Sequence, residues 1–271
     1  MFSSNSSLSS FKNQSCMKHL ILIKVGTGVL TSDGTLKTDP FFSIAAQIAE
    51  LKRQGYGVLL VSSGSVAAGK ERMACLGARG LYQKSEYAGI GSRHLLDKWG
   101  EALSLDRLEA VQFWITYGNL RNKGERKSIC SKLRRLAYDR LAVPIVNEND
   151  IVSAVEIRKM RTGLGDNDRL ARIVARSIKA NRIIFVTETG GMYTKNPLID
   201  KGALLRSEVD AKKRYRLPKH SRASANGTGG MQSKINQASI CARNGIDAFI
   251  IGFRHILDCV KGERVGTHVL A

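Results

Sequence analysis

Apolar residues come in short runs separated by stretches of helical spacing, and the alternation runs the length of the chain. Residues 20–25 form an apolar run that contains Lys24 and empties into Gly26-Thr27-Gly28, the pattern of a strand ending in a glycine turn. Residues 41–52 have helical spacing, with Asp39 as the cap before Pro40 at the first helical position. A second strand over 57–61 runs through Ser62-Ser63-Gly64-Ser65 into the small-residue helix Val66-Ala67-Ala68-Gly69. Beyond it the pattern predicts a helix over 80–100 ending near Trp99, a strand over 108–116 and a helix over 121–140. Strands at 143–146 and 183–186 flank a helix carried by Leu170, Ala171, Ile173 and Val174. Residues 227–234 open a helix of Ile235, Ala238, Ser239 and Ala242, and 248–251 is the last strand. The polar stretch 201–222 reads as a mobile excursion from the sheet. Strands alternating with helices predict a mostly parallel open sheet covered on both faces, a three-layer α/β/α sandwich. No internal repeat of fixed period is present.

Polar acceptors are concentrated in two clusters. Asn147, Glu148, Asn149 and Asp150 follow the apolar run at 143–146; Asp166, Asn167 and Asp168 follow Gly165 and precede a helix, with Asp166 or Asn167 as its N-cap. Ligands of open α/β sheets gather beyond the C-terminal ends of strands, so both clusters can face one pocket. The plainer alternative is a pair of Asx turns and a helix cap. Lys24, likewise, is either a charge placed at a strand mouth or a lysine snorkelling from an edge. The Ser63-Gly64 turn suits an anion at a helix start, and equally suits tight packing.

The glycine loop at 227–234 is not a Walker A, because Met231, Gln232 and Ser233 separate Gly230 from Lys234. Gly26-x-Gly28 lacks the third glycine of a dinucleotide fingerprint. A backbone cradle with a lysine one turn into the helix remains, a phosphate site of another kind. Phosphoryl transfer needs positioning and positive charge around the transferring oxygens. Two lysines from opposite ends of the sequence, held apart by an aspartate, would supply it. All five histidines, His19, His94, His220, His255 and His268, fall outside these motifs. A carboxylate nucleophile is already an anion and requires no general base.

Bulk properties narrow the classes further. A chain of 271 residues, 43% apolar, can bury a full single-domain core. A formal charge of +20 attracts anions without choosing among them. Its aromatics are not interleaved with the basic runs as base stacking requires, so nucleic acid is not expected as a partner. Cys16, Cys75, Cys130, Cys241 and Cys259 are odd in number and form no CxxC pair, which points to reduced thiols in the cytoplasm and not to zinc. No apolar run approaches the roughly 18 residues of a membrane span. Residues 1–17, rich in Ser and Asn, read as a disordered tail, with Met17 as a second possible start.

Together these segments resemble the glutamate 5-kinases of the amino-acid kinase family. The matching residues are Lys24-Val25-Gly26-Thr27, the run from Ser62 to Gly69, the run from Pro144 to Asp150, Gly165-Asp166-Asn167-Asp168, Thr228-Gly229-Gly230-Met231 with Lys234, and Gly262-Glu263 with Gly266-Thr267. They keep the family's order from Lys18 to the C-terminus. The resemblance implies an amino-acid kinase domain over 18–271 that transfers the ATP γ-phosphoryl group to the side-chain carboxylate of L-glutamate, the first step towards proline. It implies that Lys24 and Lys234 stabilise the transferring group, that Asp168 orients them, and that Gly64 adds a backbone donor. Ser63, Asp150, Asp166 and Asn167 would hold glutamate. Thr187, Glu188 and the loop Thr228, Gly229, Gly230, Met231, Gln232, Ser233 and Lys234 would contact ATP, with Mg²⁺ on its phosphates and no protein metal ligands. A dimer or tetramer, inhibited by proline, is expected.

Three features depart from the family pattern. Thr187-Glu188 stands where Thr-Asp is usual, residues 157–164 are longer and more basic than usual, and the RNA-binding type of PUA domain carried by many bacterial members is not expected here. Another small acid on the same fold, or a degenerate kinase that binds nucleic acid, are the competing readings.

Overall fold

The computed structural model describes residues 19–152, 167–215 and 230–271. The expected tail at 1–17, the 157–164 insertion, Asp166, Thr228 and Gly229 lie outside the described residues.

The strands are β1 (Leu20–Val25), β2 (Thr31–Ser32), β3 (Thr35–Leu36), β4 (Gly57–Ser62), β5 (Glu109–Ile115), β6 (Ala142–Glu148), β7 (Arg182–Val186), β8 (Glu208–Asp210), β9 (Asp247–Ile251) and β10 (Thr267–Leu270). Between them run α1 (Thr27–Leu30), α2 (Asp39–Arg53), α3 (Ser65–Cys75), α4 (Lys84–Ser104), α5 (Tyr117–Arg121), α6 (Lys123–Tyr138), α7 (Asn167–Ser177), α8 (Met231–Ala242) and α9 (Ile256–Lys261). Among the described residues the main sheet has the order β5-β6-β4-β1-β7-β9-β10-β8, and β2 and β3 form a separate hairpin. β5, β6, β4, β1, β7 and β9 are parallel, whereas β10 pairs antiparallel with β9. The connections change direction at β1, which has β4 on one side and β7 on the other. In doubly wound sheets this is where ligands bind.

Strand periodicity sorts the side chains into two cores. Leu20 and Leu22 of β1 pack on the face covered by α6, α7 and α8; Ile21, Ile23 and Val25 pack on the face covered by α2, α4 and α9. Lys24 has the parity of Leu20 and Leu22, so it projects towards α7 and α8. The same two helices turn a polar residue inward in their first turn. Asp168 shares the buried stripe of Ala171 and Ala175, and Lys234 that of Ala238 and Cys241.

The expected sandwich is therefore observed, with local corrections. Helix α4 starts at Lys84 and not at residue 80, because Gln83 and Glu86 form a reciprocal capping box there, and it continues past Trp99 to Ser104. The helix expected at 121–140 is α6, which starts at Lys123 because Asn122 caps it by accepting from the amides of Gly124 and Glu125, while Arg121 ends the separate short helix α5. Thr38, not Asp39, stands at the N-cap of α2, and Asp39 opens the helix beside Pro40. Strand β6 extends through the buried Asn147 and Glu148, so half of the first polar cluster belongs to the sheet and not to a loop. Strand β9 is not the last, since β10 follows, and residues 208–210 of the supposed excursion are the edge strand β8. Such short edge strands carry little periodic signal. No helix among the described residues is long and apolar enough to cross a membrane.

Candidate active site

At the C-terminal end of β1, three charges from three elements meet. The Lys24 ammonium lies 2.6 Å from Asp168 Oδ1 and the Lys234 ammonium 3.4 Å from Oδ2. Their residues are 4%, 0% and 5% exposed, so two cations share one carboxylate out of water with a net charge of +1. Burial pushes the Asp168 carboxyl up, but the charges of Lys24 and Lys234, with their hydrogen bonds, prevail and hold it below the usual carboxylate range. Lys24 is thus a central-strand lysine and not one snorkelling from an edge. Gly26 forms the floor beside Lys234: a Cβ there would sit 3.7 Å from Lys234 Cε and 3.5 Å from the Val186 carbonyl oxygen.

Gly64, at the end of β4, caps α3 with φ of +111°, a conformation L side chains rarely adopt. Space is not the constraint, since a Cβ there would meet Leu95 Cδ1 only at 3.6 Å. Space does constrain the next turns. A Cβ on Gly69 would stand 1.9 Å from the Tyr87 carbonyl oxygen, and one on Gly91 1.9 Å from that of Ser65. The small-residue run after Ser63-Gly64 therefore serves close packing of α3 on α4, as well as presenting a helix start to the site.

Ser63 and Asn167 are joined: Asn167 Nδ2 donates to Ser63 Oγ at 2.9 Å and to the Ser62 carbonyl at 3.3 Å. Asn167 is the first residue of α7, and its buried Oδ1 accepts no hydrogen bond from any described residue. Asp150 begins the turn after β6; burial pushes its carboxyl up, and the Lys84 charge opposes this. Thr187 follows β7, its amide donating to the Ile251 carbonyl at 2.9 Å. Glu188 next to it is half-exposed and 3.8 Å from Lys37. Gly230 caps α8, whose first turn is Met231, Gln232, Ser233 and Lys234. Lys24, Asp168 and Lys234 thus come together, and Ser63 and Asn167 are in contact. Asp150 and Glu188 stand on other strand ends of the same sheet edge.

Sequence reasoning missed the support behind Ser63. Trp99 Nε1 donates to Ser62 Oγ at 2.9 Å, and Asn147 Nδ2 donates to the Ser62 carbonyl at 3.0 Å. Asn147 stood in a polar cluster that signalled a site, but nothing about a tryptophan in α4 signals it. Lys37 was missed as well; it donates to the Gly28 carbonyl at 3.3 Å and faces Glu188.

A parallel sheet with buried cations at its switch point and helix starts around them is built to hold anions. The amino acid kinase family model matches residues 19–252, and the chain belongs to that family. Among its curated relatives, glutamate 5-kinase 2 of Pseudoalteromonas translucida is 34% identical over 258 residues, 93% of this chain and 68% of that protein. Glutamate 5-kinases of Citrifermentans bemidjiense, 34% identical, and Nitrosococcus oceani, 36% identical, align with 91% of this chain and 66% of their own. The chain thus spans about two thirds of the length of these relatives. Solved structures agree on the fold. T. acidophilum isopentenyl phosphate kinase superposes with a TM-score of 0.62 at 17% identity, covering 92% of this chain and 99% of that one. UMP kinase from Bacillus anthracis gives 0.58 at 15%, covering 93% and 96%.

Proposed function

We propose that the chain is a glutamate 5-kinase, forming γ-glutamyl 5-phosphate from ATP and L-glutamate in proline biosynthesis. The observation that carries this reading is the buried Lys24–Asp168–Lys234 arrangement, two ammonium groups held on one carboxylate at the sheet's switch point. A glutamate side-chain oxygen attacks the γ-phosphorus, the bond from that phosphorus to the β,γ-bridging oxygen breaks, and ADP leaves. The nucleophile enters as a carboxylate, so no proton has to be removed. Lys24 and Lys234 bind the equatorial and leaving oxygens, where charge is spread in the transition state. Asp168 positions both ammonium groups, and its depressed pKa keeps it ionised to do so. Gly64 contributes a backbone donor at the start of α3.

Ser63, Asn167, Asp150 and Asp166 hold glutamate. Asp150 and Asp166 carry the sign that its ammonium group requires, and the buried Asn167 Oδ1 is an acceptor awaiting a donor. Thr187, Glu188 and the segment from Thr228 to Lys234 contact ATP. No three His, Cys, Asp or Glu side chains among the described residues cluster to hold a metal ion, and Asp168 is already engaged by two lysines. That donor set fits Mg²⁺ carried on the ATP phosphates as part of the substrate, where it neutralises phosphate charge. A dimer or tetramer, proline as inhibitor and a cytoplasmic setting complete the proposal. Exposed Trp114 on the edge strand β5 and the four free cysteines among the described residues are compatible with them.

Purified protein incubated with ATP, Mg²⁺, L-glutamate and hydroxylamine should yield γ-glutamyl hydroxamate, and Lys234→Ala should not. Folded protein that yields none, or that prefers aspartate or acetylglutamate, would overturn the assignment. Light scattering with and without proline tests the assembly and its regulation.

A further inference from the structure

The excess charge of the chain is not spread evenly. On one face of the sheet, α2, α4 and α9 each carry as many acidic as basic residues. Several of their charges are paired there: Arg53 with Glu50 and Asp106, Arg93 with Asp97, Lys98 with Glu101. On the other face, α6 carries six basic residues against Glu125 alone, and α7 three arginines against the buried Asp168. The buried side of α6 is Cys130, Leu133 and Ala137, so its outer side is Lys127, Ser128, Ser131, Lys132 and Arg135, all exposed. Arg134 donates to the Ile178 carbonyl and ties this helix to the end of α7, where Arg176 and Lys179 are also exposed. None of Lys127, Lys132, Arg135, Arg176 and Lys179 forms an ion pair with another described residue.

We propose that this face of α6 and the end of α7 bind the phosphate backbone of a nucleic-acid duplex, independently of the phosphoryl-transfer site. A stripe of ammonium, guanidinium and hydroxyl groups offers the donors that phosphate oxygens accept. Lys127, Ser128, Ser131, Lys132 and Arg135 recur at helical spacing on a helix about 24 Å long, a length that meets several phosphates in succession. No large apolar side chain is exposed on α6 or α7, so the face lacks both the insertion residues of a membrane-docking helix and the stacking platform of a single-strand binder. Binding through the backbone alone carries no sequence preference.

The test is fluorescence anisotropy of mixed-sequence RNA and DNA duplexes with the full chain, from about 50 to 200 mM salt. Retention with a log-log salt slope of about −0.9 per phosphate contacted is expected. Reversing Lys127, Lys132 and Arg135 to Glu should weaken binding at least about ten-fold, whereas reversing Arg93, Lys98 and Lys261 on the opposite face should change it by less than about two-fold. The RNA and DNA arms distinguish which duplex is preferred. Equal losses in the two triple variants would show only diffuse attraction to a basic protein and overturn the proposal. So would binding to phosphatidylserine vesicles without binding to either duplex, or no retention near physiological salt. Circular dichroism and hydroxamate turnover verify folding, and Lys132→Gln, with a smaller loss of the same sign, replaces a triple variant that does not fold.

Discussion

Two charge clusters sit at opposite ends of the same sheet and are built on different terms. At the C-terminal end of β1, Lys24 and Lys234 share Asp168 with almost no exposure and a net charge of +1. At the N-terminal ends of β7 and β9, Arg182 lies 2.7 Å from Asp247, whose other oxygen is 2.8 Å from His268 Nε2. Arg182 also donates to the Cys259 carbonyl at 2.9 Å and lies over Phe249, on which His268 stacks. In the second cluster Asp247 and His268 are about a third exposed and Arg182 is 19% exposed, and the three are paired with one another. The first is buried, with two ammonium groups sharing one carboxylate. Desolvating unbalanced charge costs several kcal/mol, and a cluster that bears this cost while its neighbour does not is placed for binding and not for stability.

Substitutions in the first cluster should separate the two roles. Asp168→Asn leaves two buried ammonium groups facing each other and should cost about 3–5 kcal/mol of unfolding free energy, along with activity. Lys24→Met or Lys234→Met leaves one lysine balanced by Asp168, so urea unfolding should change far less. Turnover in the hydroxamate assay should nevertheless fall by about 3 kcal/mol of transition-state stabilisation. If the lysine variants prove as destabilised as Asp168→Asn, the cluster is structural after all. The Asp168 carboxyl is held below its unfolded pKa, so its contribution is full above the unfolded value near 4 and is lost as pH falls through the lower folded value. Acid unfolding of wild type against Asp168→Asn should diverge in that window.

The sequence made the first cluster legible and left the second invisible, for a physical reason. Lys24 violates an apolar run and Asp168 interrupts a helix stripe, and such local violations mark sites because a core does not otherwise tolerate them. Arg182, Asp247 and His268 violate nothing: each sits at a strand end where charged residues are ordinary. Only the register that sets β9 beside β7 and β10 reveals them as partners. The same holds for Trp99 behind Ser62, a contact that requires α4 to fold back over β4. Periodicity located most of the parallel strands and their helices, whereas β8 and β10 were missed or misread because short edge strands are fixed by pairing and not by pattern.

Arg182→Ala tests the second cluster at a smaller scale. Asp247 would keep His268, and the Cys259 carbonyl would lose a donor, so about 1–2 kcal/mol of stability should disappear with kcat and KM for ATP and glutamate unchanged. A change in KM would tie this end of the strands to the site and erase the contrast between the clusters.

A third cation, partly buried, sharpens the comparison, because no carboxylate among the described residues pairs with it. Lys52, near the end of α2, donates to the carbonyls of Ala137 and Asp139 at 2.9 and 2.7 Å, at the C-terminus of α6. Carbonyl dipoles stand in for an anion there, and they are weaker than one. Burial pushes the Lys52 pKa down to about 8, with only the Asp139 charge opposing it. A base whose folded pKa is lowered binds fewer protons folded than unfolded between the two values, so stability rises with pH from about 8 towards 10. The rise should be of the order of 2 kcal/mol in wild-type protein and absent in Lys52→Met, as measured by urea unfolding at both pH values. Equal pH dependence in the two proteins would mean that the carbonyls hold Lys52 charged as well as a carboxylate does. The positive excess at the Lys24–Asp168–Lys234 cluster would then no longer be the costly feature that marks it for function.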